Sequence, residues 1–166
     1  MSDTPHGQMG VGPLLFSPNG RITQAQFWAA WSGLVAANFV FSFIPLLSNI
    51  MSIVLVYVGV CIYGKRLHDF GRSAWVHLIP WVVTLIIGFG VAFRNFEAVT
   101  AFLELAESGR QPTEEEALEL FNQLGPFFFA VFINVIIWLV YTIWVGSKAS
   151  QKFDNRFGKG PAGDTF

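Results

Sequence analysis

The sequence predicts an all-α integral membrane helical bundle of four transmembrane helices with an acidic extracytoplasmic helical hairpin. Composition is the first reason. Of 166 residues 53% are hydrophobic, 18 are Phe and the mean hydropathy is +0.51. A soluble domain of this size has too much surface for its volume to hide so many apolar side chains. The second reason is the placement of that apolar content. Residues 32–63, 73–93 and 125–147 contain no Lys, Arg, Asp or Glu, and a bilayer crossing takes about 20 mostly apolar residues. The third is charge asymmetry, which sets the threading.

The run from Phe27 to Tyr63 is too long for one crossing, and Pro45, Ser48 and Asn49 interrupt it. It reads as a tight hairpin of spans at about 27–46 and 49–65. A third span covers about 75–93, with Pro80 in its first turns, and a fourth about 127–146. Helices are expected because backbone polar groups in hydrocarbon must be satisfied within the segment. The repeated alternation of a barrel is missing.

Eight of the ten basic residues lie in three places: Arg21 in the segment 1–26, Lys65, Arg66 and Arg72 in the central loop, and Lys148, Lys152, Arg156 and Lys159 in the tail 148–166. The loop 94–126 holds the other two and seven of the eleven acids. Positive charge favours the cytoplasmic side, which places both termini there. Trp28, Trp31, Trp75 and Trp144 fall near the same span ends, as an interfacial aromatic belt requires. Residues 1–26 lack an apolar signal core, so the first span is expected to act as an uncleaved anchor.

Within the acidic loop, Phe96, Val99, Leu103 and Ala106 form a helical stripe ended by Ser108-Gly109. Thr113 and Glu116 have capping-box spacing. Ala117, Leu120, Phe121 and Leu124 continue at helical spacing, and Gly125-Pro126 is expected to stop that helix. Such a hairpin either docks a partner, gathers cations or simply caps the helix ends. In the tail, Lys148, Lys152 and Arg156 at four-residue intervals beside Phe153 and Phe157 fit a basic amphipathic helix on the inner leaflet, or plain stop-transfer charge.

The densest chemistry is Gly64–Trp75, Gly-Lys-Arg-Leu-His-Asp-Phe-Gly-Arg-Ser-Ala-Trp. Arg66, Asp69 and Arg72 are spaced three apart, so either pair bridges on a helical turn. Three readings are open. A salt-bridged turn locks spans two and three, with Arg21 as another partner of Asp69. Lys65, Arg66 and Arg72 clamp a lipid phosphate, which suits guanidinium forks. His68 and Asp69 form an acid–base couple.

Three islands of this chain resemble one family. Leu15-Phe16-Ser17 with Gly20-Arg21-Ile22 and Phe27-Trp28, then Arg66-Leu67-His68-Asp69-Phe70-Gly71-Arg72-Ser73 with Trp75, then Asn155-Arg156-Phe157-Gly158 with Pro161, are similar to the opening, central and closing signatures of DUF805, domain of unknown function 805, the YhaH-like bacterial inner-membrane proteins. The resemblance implies a small multi-span inner-membrane protein and carries no biochemical activity. The chain departs from the family where a basic-acidic pair gives way to Gln24-Ala25-Gln26, and in its longer acidic loop. The closing signature favours a turn over a tail helix beyond about Phe153.

The absences narrow the function. No charged residue lies in the four span cores, whereas proton relays and ion-coupled carriers place them there. Asn38 and Asn134 are the strongly polar residues at mid-depth, suited to hydrogen bonds between helices. His6, His68 and His77 lack metal-ligand spacing, Cys61 stands alone, and Gly88-Phe89-Gly90 is a packing motif within an apolar helix. No catalytic residue, cofactor, metal or nucleic-acid partner is expected. The best reading is a non-enzymatic membrane protein binding anionic lipid headgroups or protein partners through a basic cytoplasmic face, with Arg21, Arg66, His68, Asp69, Arg72, Asn155 and Arg156 as the site. The alternatives are an oligomeric pore or transporter subunit and a membrane enzyme acting on lipid headgroups.

Overall fold

A computed structural model describes residues 10–160; His6 and Pro161 lie outside the described residues. The chain is all-helical, with no strand among those residues. The helices are α1 (Val11–Phe16), α2 (Gln24–Ser42), α3 (Pro45–Asp69), α4 (Leu78–Arg94), α5 (Phe96–Ser108) and α6 (Glu114–Ser147), and a 3₁₀ turn at Ala74–His77 leads into α4. Among the described residues three stretches are long and apolar enough to cross a membrane: Leu47–Asp69, Ala74–Arg94 and Glu114–Ser147. Helix α2 has 19 residues, but Gln24, Gln26, Ser32 and Asn38 lower its hydropathy below the other three.

Local chemistry sets the boundaries. Thr23 and Gln26 form a capping box at the start of α2: Gln26 N–H donates to Thr23 Oγ1 (3.3 Å) and Thr23 N–H to Gln26 Oε1 (3.0 Å). The break between α2 and α3 falls at Phe43–Ile44, and Pro45 opens α3, where its missing N–H is one the helix leaves unbonded anyway. Asparagine and serine at 48–49 therefore continue the helix. Helix α3 also runs past residue 65 and takes Lys65, Arg66 and Asp69 into its last two turns. The expected loop is thus helical for more than half its charge.

The acidic region follows expectation at two points and departs from it at a third. Helix α5 ends at Gly109, whose φ of 62° is left-handed. The Thr113–Glu116 box forms, with Thr113 N–H donating to Glu116 Oε2 (2.9 Å) and Glu116 N–H to Thr113 Oγ1 (3.3 Å). Gly125-Pro126 does not stop the helix: Pro126 sits inside a single 34-residue α6. Proline removes only its own N–H from the ladder, and membrane-depth helices tolerate that loss. The segment after Thr113 is therefore the first turns of α6 and not a separate short helix.

The tail is not helical. Beyond Ser147 the chain turns, and Asn155 and Gly158 exchange backbone hydrogen bonds at 3.0 Å each. Asn155 Oδ1 accepts from Phe157 N–H at 2.9 Å, and Gly158 has φ 144°. An asparagine that bonds its own backbone two residues on, followed by a glycine of positive φ, favours a turn over helix extension. The four-residue spacing of Lys148, Lys152 and Arg156 has no helical meaning here.

Two compact units emerge, residues 10–78 with 142–160, and Ile79–Tyr141. In the first, α2 and α1 pack on α3, and the core is Ile22, Phe27, Val58, Cys61, Ile62, Leu67 and Val145. Phe27 meets Trp28 and Tyr63 edge-on, each at 5.3 Å, and Tyr63 stacks on His77 at 4.6 Å. The Tyr63 and Thr142 hydroxyls share a 2.6 Å hydrogen bond. A Cβ on Gly146 would overlap the Trp28 ring, so only glycine lets the end of α6 lie this close. In the second unit Thr84 links α4 to α6: its hydroxyl donates to Asn134 Oδ1 (3.3 Å) and accepts from Trp138 Nε1 (3.0 Å). Asn134 thus bridges two helices. Asn38 is exposed.

Candidate functional site

The end of α3 carries most of the buried charge among the described residues. Lys65, Arg66 and Asp69 are each 0% exposed, and helical spacing puts Arg66 and Asp69 on one face. Asp69 accepts from both arginines named in the sequence: Oδ2 from Arg66 Nη1, and Oδ1 from Arg21 Nη2 (3.2 Å) and Nε (3.3 Å). One carboxylate cannot neutralise three cations. Backbone carbonyls supply the remaining negative partial charge.

Arg66 reaches the end of α6. Its Nε donates to Val145 O (3.3 Å), and its Nη2 to Gly146 O (3.4 Å) and Lys148 O. Its Nη1 also donates to Ser150 Oγ at 3.1 Å. The last carbonyls of a helix have no partner within it and form the negative pole of its dipole. A guanidinium fork, with five donors, can hold several of them together. Lys65 does the same for α1, donating to Pro13 O (2.7 Å) and Leu14 O. Arg21 gathers the tail through Phe153 O (2.8 Å), Gly158 O (3.4 Å) and Gln151 O.

The tail in turn closes the end of α3. Gln151 N–H donates to Asp69 O (3.0 Å), and Asn155 Nδ2 to His68 O (2.9 Å) and Gln151 Oε1 (2.9 Å). Gly71 N–H bonds His68 O (3.1 Å) and Arg72 N–H bonds Leu67 O (2.9 Å), the paired bonds of a Schellman end. The ends of α3 and α6 therefore cap one another. Gly71, at φ 80°, makes this possible, and a Cβ there would lie 2.5 Å from Gln151 Nε2. Gly71→Ala is expected to lower the melting temperature by about 5 °C, from a strain of roughly 1–2 kcal/mol. Gly59→Ala, with open space around it, should not lower it. Equal melting temperatures for the two variants would refute the tight turn.

Of the sequence-predicted residues, Arg21 and Arg66 meet at Asp69, and Asn155 joins them through the His68 carbonyl and the Gln151 side chain. His68 joins them at the margin: Nδ1 lies 3.2 Å from Gly20 O, and its ring stacks on Phe157 at 4.0 Å and 7°. Arg156 lies over the same Phe157 ring at 4.6 Å and is exposed. Arg72 does not join the cluster; only its backbone takes part, and its side chain is exposed. The sequence could not separate it from Arg66, because both sit three residues from Asp69. Lys65, Ser150 and Gln151 are the participants outside the predicted site. For the first, its place beside Arg66 at the end of an uncharged run is a usable signal; the other two carry none.

This arrangement fixes what chemistry is available. All three buried cations are engaged by the protein's own oxygens, and no described buried side-chain nitrogen or oxygen lacks a partner. A phosphate would have to displace several of these bonds to reach Arg66. His68 and Asp69 face different partners, so they do not form a proton-transfer pair. Among the described residues no three His, Cys, Asp or Glu side chains gather as a metal site. Comparison with known proteins finds no matching family model, no matching curated protein and no matching solved structure.

Proposed function

We propose that the chain is a multi-pass bacterial inner-membrane protein, of the DUF805 kind, that works without catalysis by docking anionic partners on a basic cytoplasmic face. Four helices cross the bilayer, with α2 as the first: its 19 residues reach roughly 28 Å, close to the hydrocarbon thickness of about 30 Å. Both termini and the α3 end are cytoplasmic, and the acidic residues of α5 and early α6 form an outer hairpin. Lipid headgroups and membrane-protein partners both meet the description.

One observation carries the docking reading: the cations divide into two sets. Arg21, Lys65 and Arg66 are locked on the protein's own oxygens. Arg72, Lys148, Lys152, Arg156 and Lys159 are exposed, and none has an acidic partner within 4.0 Å among the described residues. Exposed cations beside a bonded set suit an electrostatic docking face, since no internal carboxylate competes for them.

The topology test is thiol labelling in intact cells, in a chain with Cys61 replaced by Ala. Glu115→Cys should react with a membrane-impermeant maleimide from outside, and Lys152→Cys only after lysis. Labelling of Lys152→Cys in intact cells would overturn the cytoplasmic docking face.

A further inference from the structure

We infer that three pairs of an exposed cation and an aromatic ring, Arg72 with Trp75, Lys148 with Trp144 and Lys152 with Phe153, form a binding rim for anionic glycerophospholipids. The inference rests on the docking reading above and selects lipid as the partner. The pairs belong to one patch. Gly71 lies against the Gln151 side chain, so Arg72 and Lys152, the next residues along, flank a single contact. Phe70 meets Trp144 edge-on at 5.7 Å, and Lys148 Nζ lies 5.9 Å from the centre of the Trp144 ring. Arg72, Lys148 and Lys152 are therefore each within one residue or one ring of the Phe70-Gly71 turn.

The rings decide the ligand. Trp75 is 77% exposed and Phe153 83% exposed, well beyond what a tryptophan or phenylalanine facing water alone would favour. Trp75 stands at the start of one stretch apolar enough to cross a membrane, Ala74–Arg94, and Trp144 near the end of another, Glu114–Ser147. That is the depth at which aromatic rings settle among glycerol and carbonyl groups. A phospholipid offers a phosphate and an apolar chain at this depth together; each cation–ring pair matches both. A soluble acidic protein would meet the cations and leave the rings unused. Arg156 also lies over a ring, Phe157 (4.6 Å), but His68 stacks on that ring and leaves less of it for an acyl chain.

The experiment is native mass spectrometry of the full chain released from nanodiscs of phosphatidylglycerol and phosphatidylcholine in equal amounts. Wild type should retain phosphatidylglycerol in excess. Each of Arg72→Gln, Lys148→Gln and Lys152→Gln should lower that excess about fivefold, the factor for one base near an anionic surface. Trp75→Ala with Phe153→Ala should also lower it with charge unchanged, whereas Arg156→Gln with Lys159→Gln should leave it nearly intact. Millimolar inorganic phosphate should not displace the lipid. These side chains are exposed, so melting temperatures should hold. Equal retention of both lipids, or loss in the Arg156/Lys159 variant alone, overturns the inference. With Lys152→Cys still labelled only after lysis, that outcome leaves the docking reading standing; outside labelling overturns both.

Discussion

Replacing Asp69 with Asn is expected to cost the protein about 3–5 kcal/mol, the usual penalty for removing one partner of a buried ion pair. The magnitude follows from what remains. Arg66 is fully buried, and the Arg21 side chain is 3% exposed in the pair. Without the carboxylate, two guanidinium groups face each other across the amide with only carbonyl dipoles to hold them. For a chain of 166 residues this corresponds to a fall in melting temperature on the order of 10 °C in neutral detergent. Asp69→Asn combined with Arg21→Gln should lose less than the sum of the single losses, because the second change removes a cation the first has stranded. An unchanged melting temperature in Asp69→Asn, or strict additivity in the pair, would show that Asp69 does not hold the two arginines.

The second large effect belongs to Arg66, and it is local as well as global. Arg66→Ala removes the partner of Asp69 and frees the carbonyls of Val145, Gly146 and Lys148. A loss of about 3–5 kcal/mol is expected. Arg66→Lys keeps the charge but not the planar fork, so fewer acceptors can be held, and about 1–3 kcal/mol should be lost. Hydrogen exchange separates capping from simple charge neutralisation. Amides at 142–148 should lose protection in both variants, by tenfold or more in Arg66→Ala, while those at 130–138 should not. If the lysine variant retained wild-type protection at 142–148, the carbonyl contacts would be incidental.

Much of the helical layout was legible from single residues. The Phe96, Val99, Leu103 and Ala106 stripe with its Gly109 end, and the Thr113–Glu116 box, are local patterns whose partners lie within one turn. They form as written. Pro126 was misread for the same reason: a proline rule is local, whereas the long apolar helix around it is not. The tail failed similarly, since four-residue spacing in Lys148, Lys152 and Arg156 says nothing about the turn that Asn155 and Gly158 impose.

The sequence by itself determined that this chain is helical, that it has stretches able to cross a membrane and that its charge collects in a few short segments, because hydrophobic run length and charge exclusion from hydrocarbon depend on composition alone. Only the tertiary structure decided which cations are bound inside and which are free. Arg66 and Arg72 are alike in type and in spacing from Asp69, yet one is sealed and the other exposed. The acceptors that distinguish them are mostly main-chain carbonyls, at Ile22, the end of α6 and the start of the tail, identical in every residue and brought near α3 only by folding.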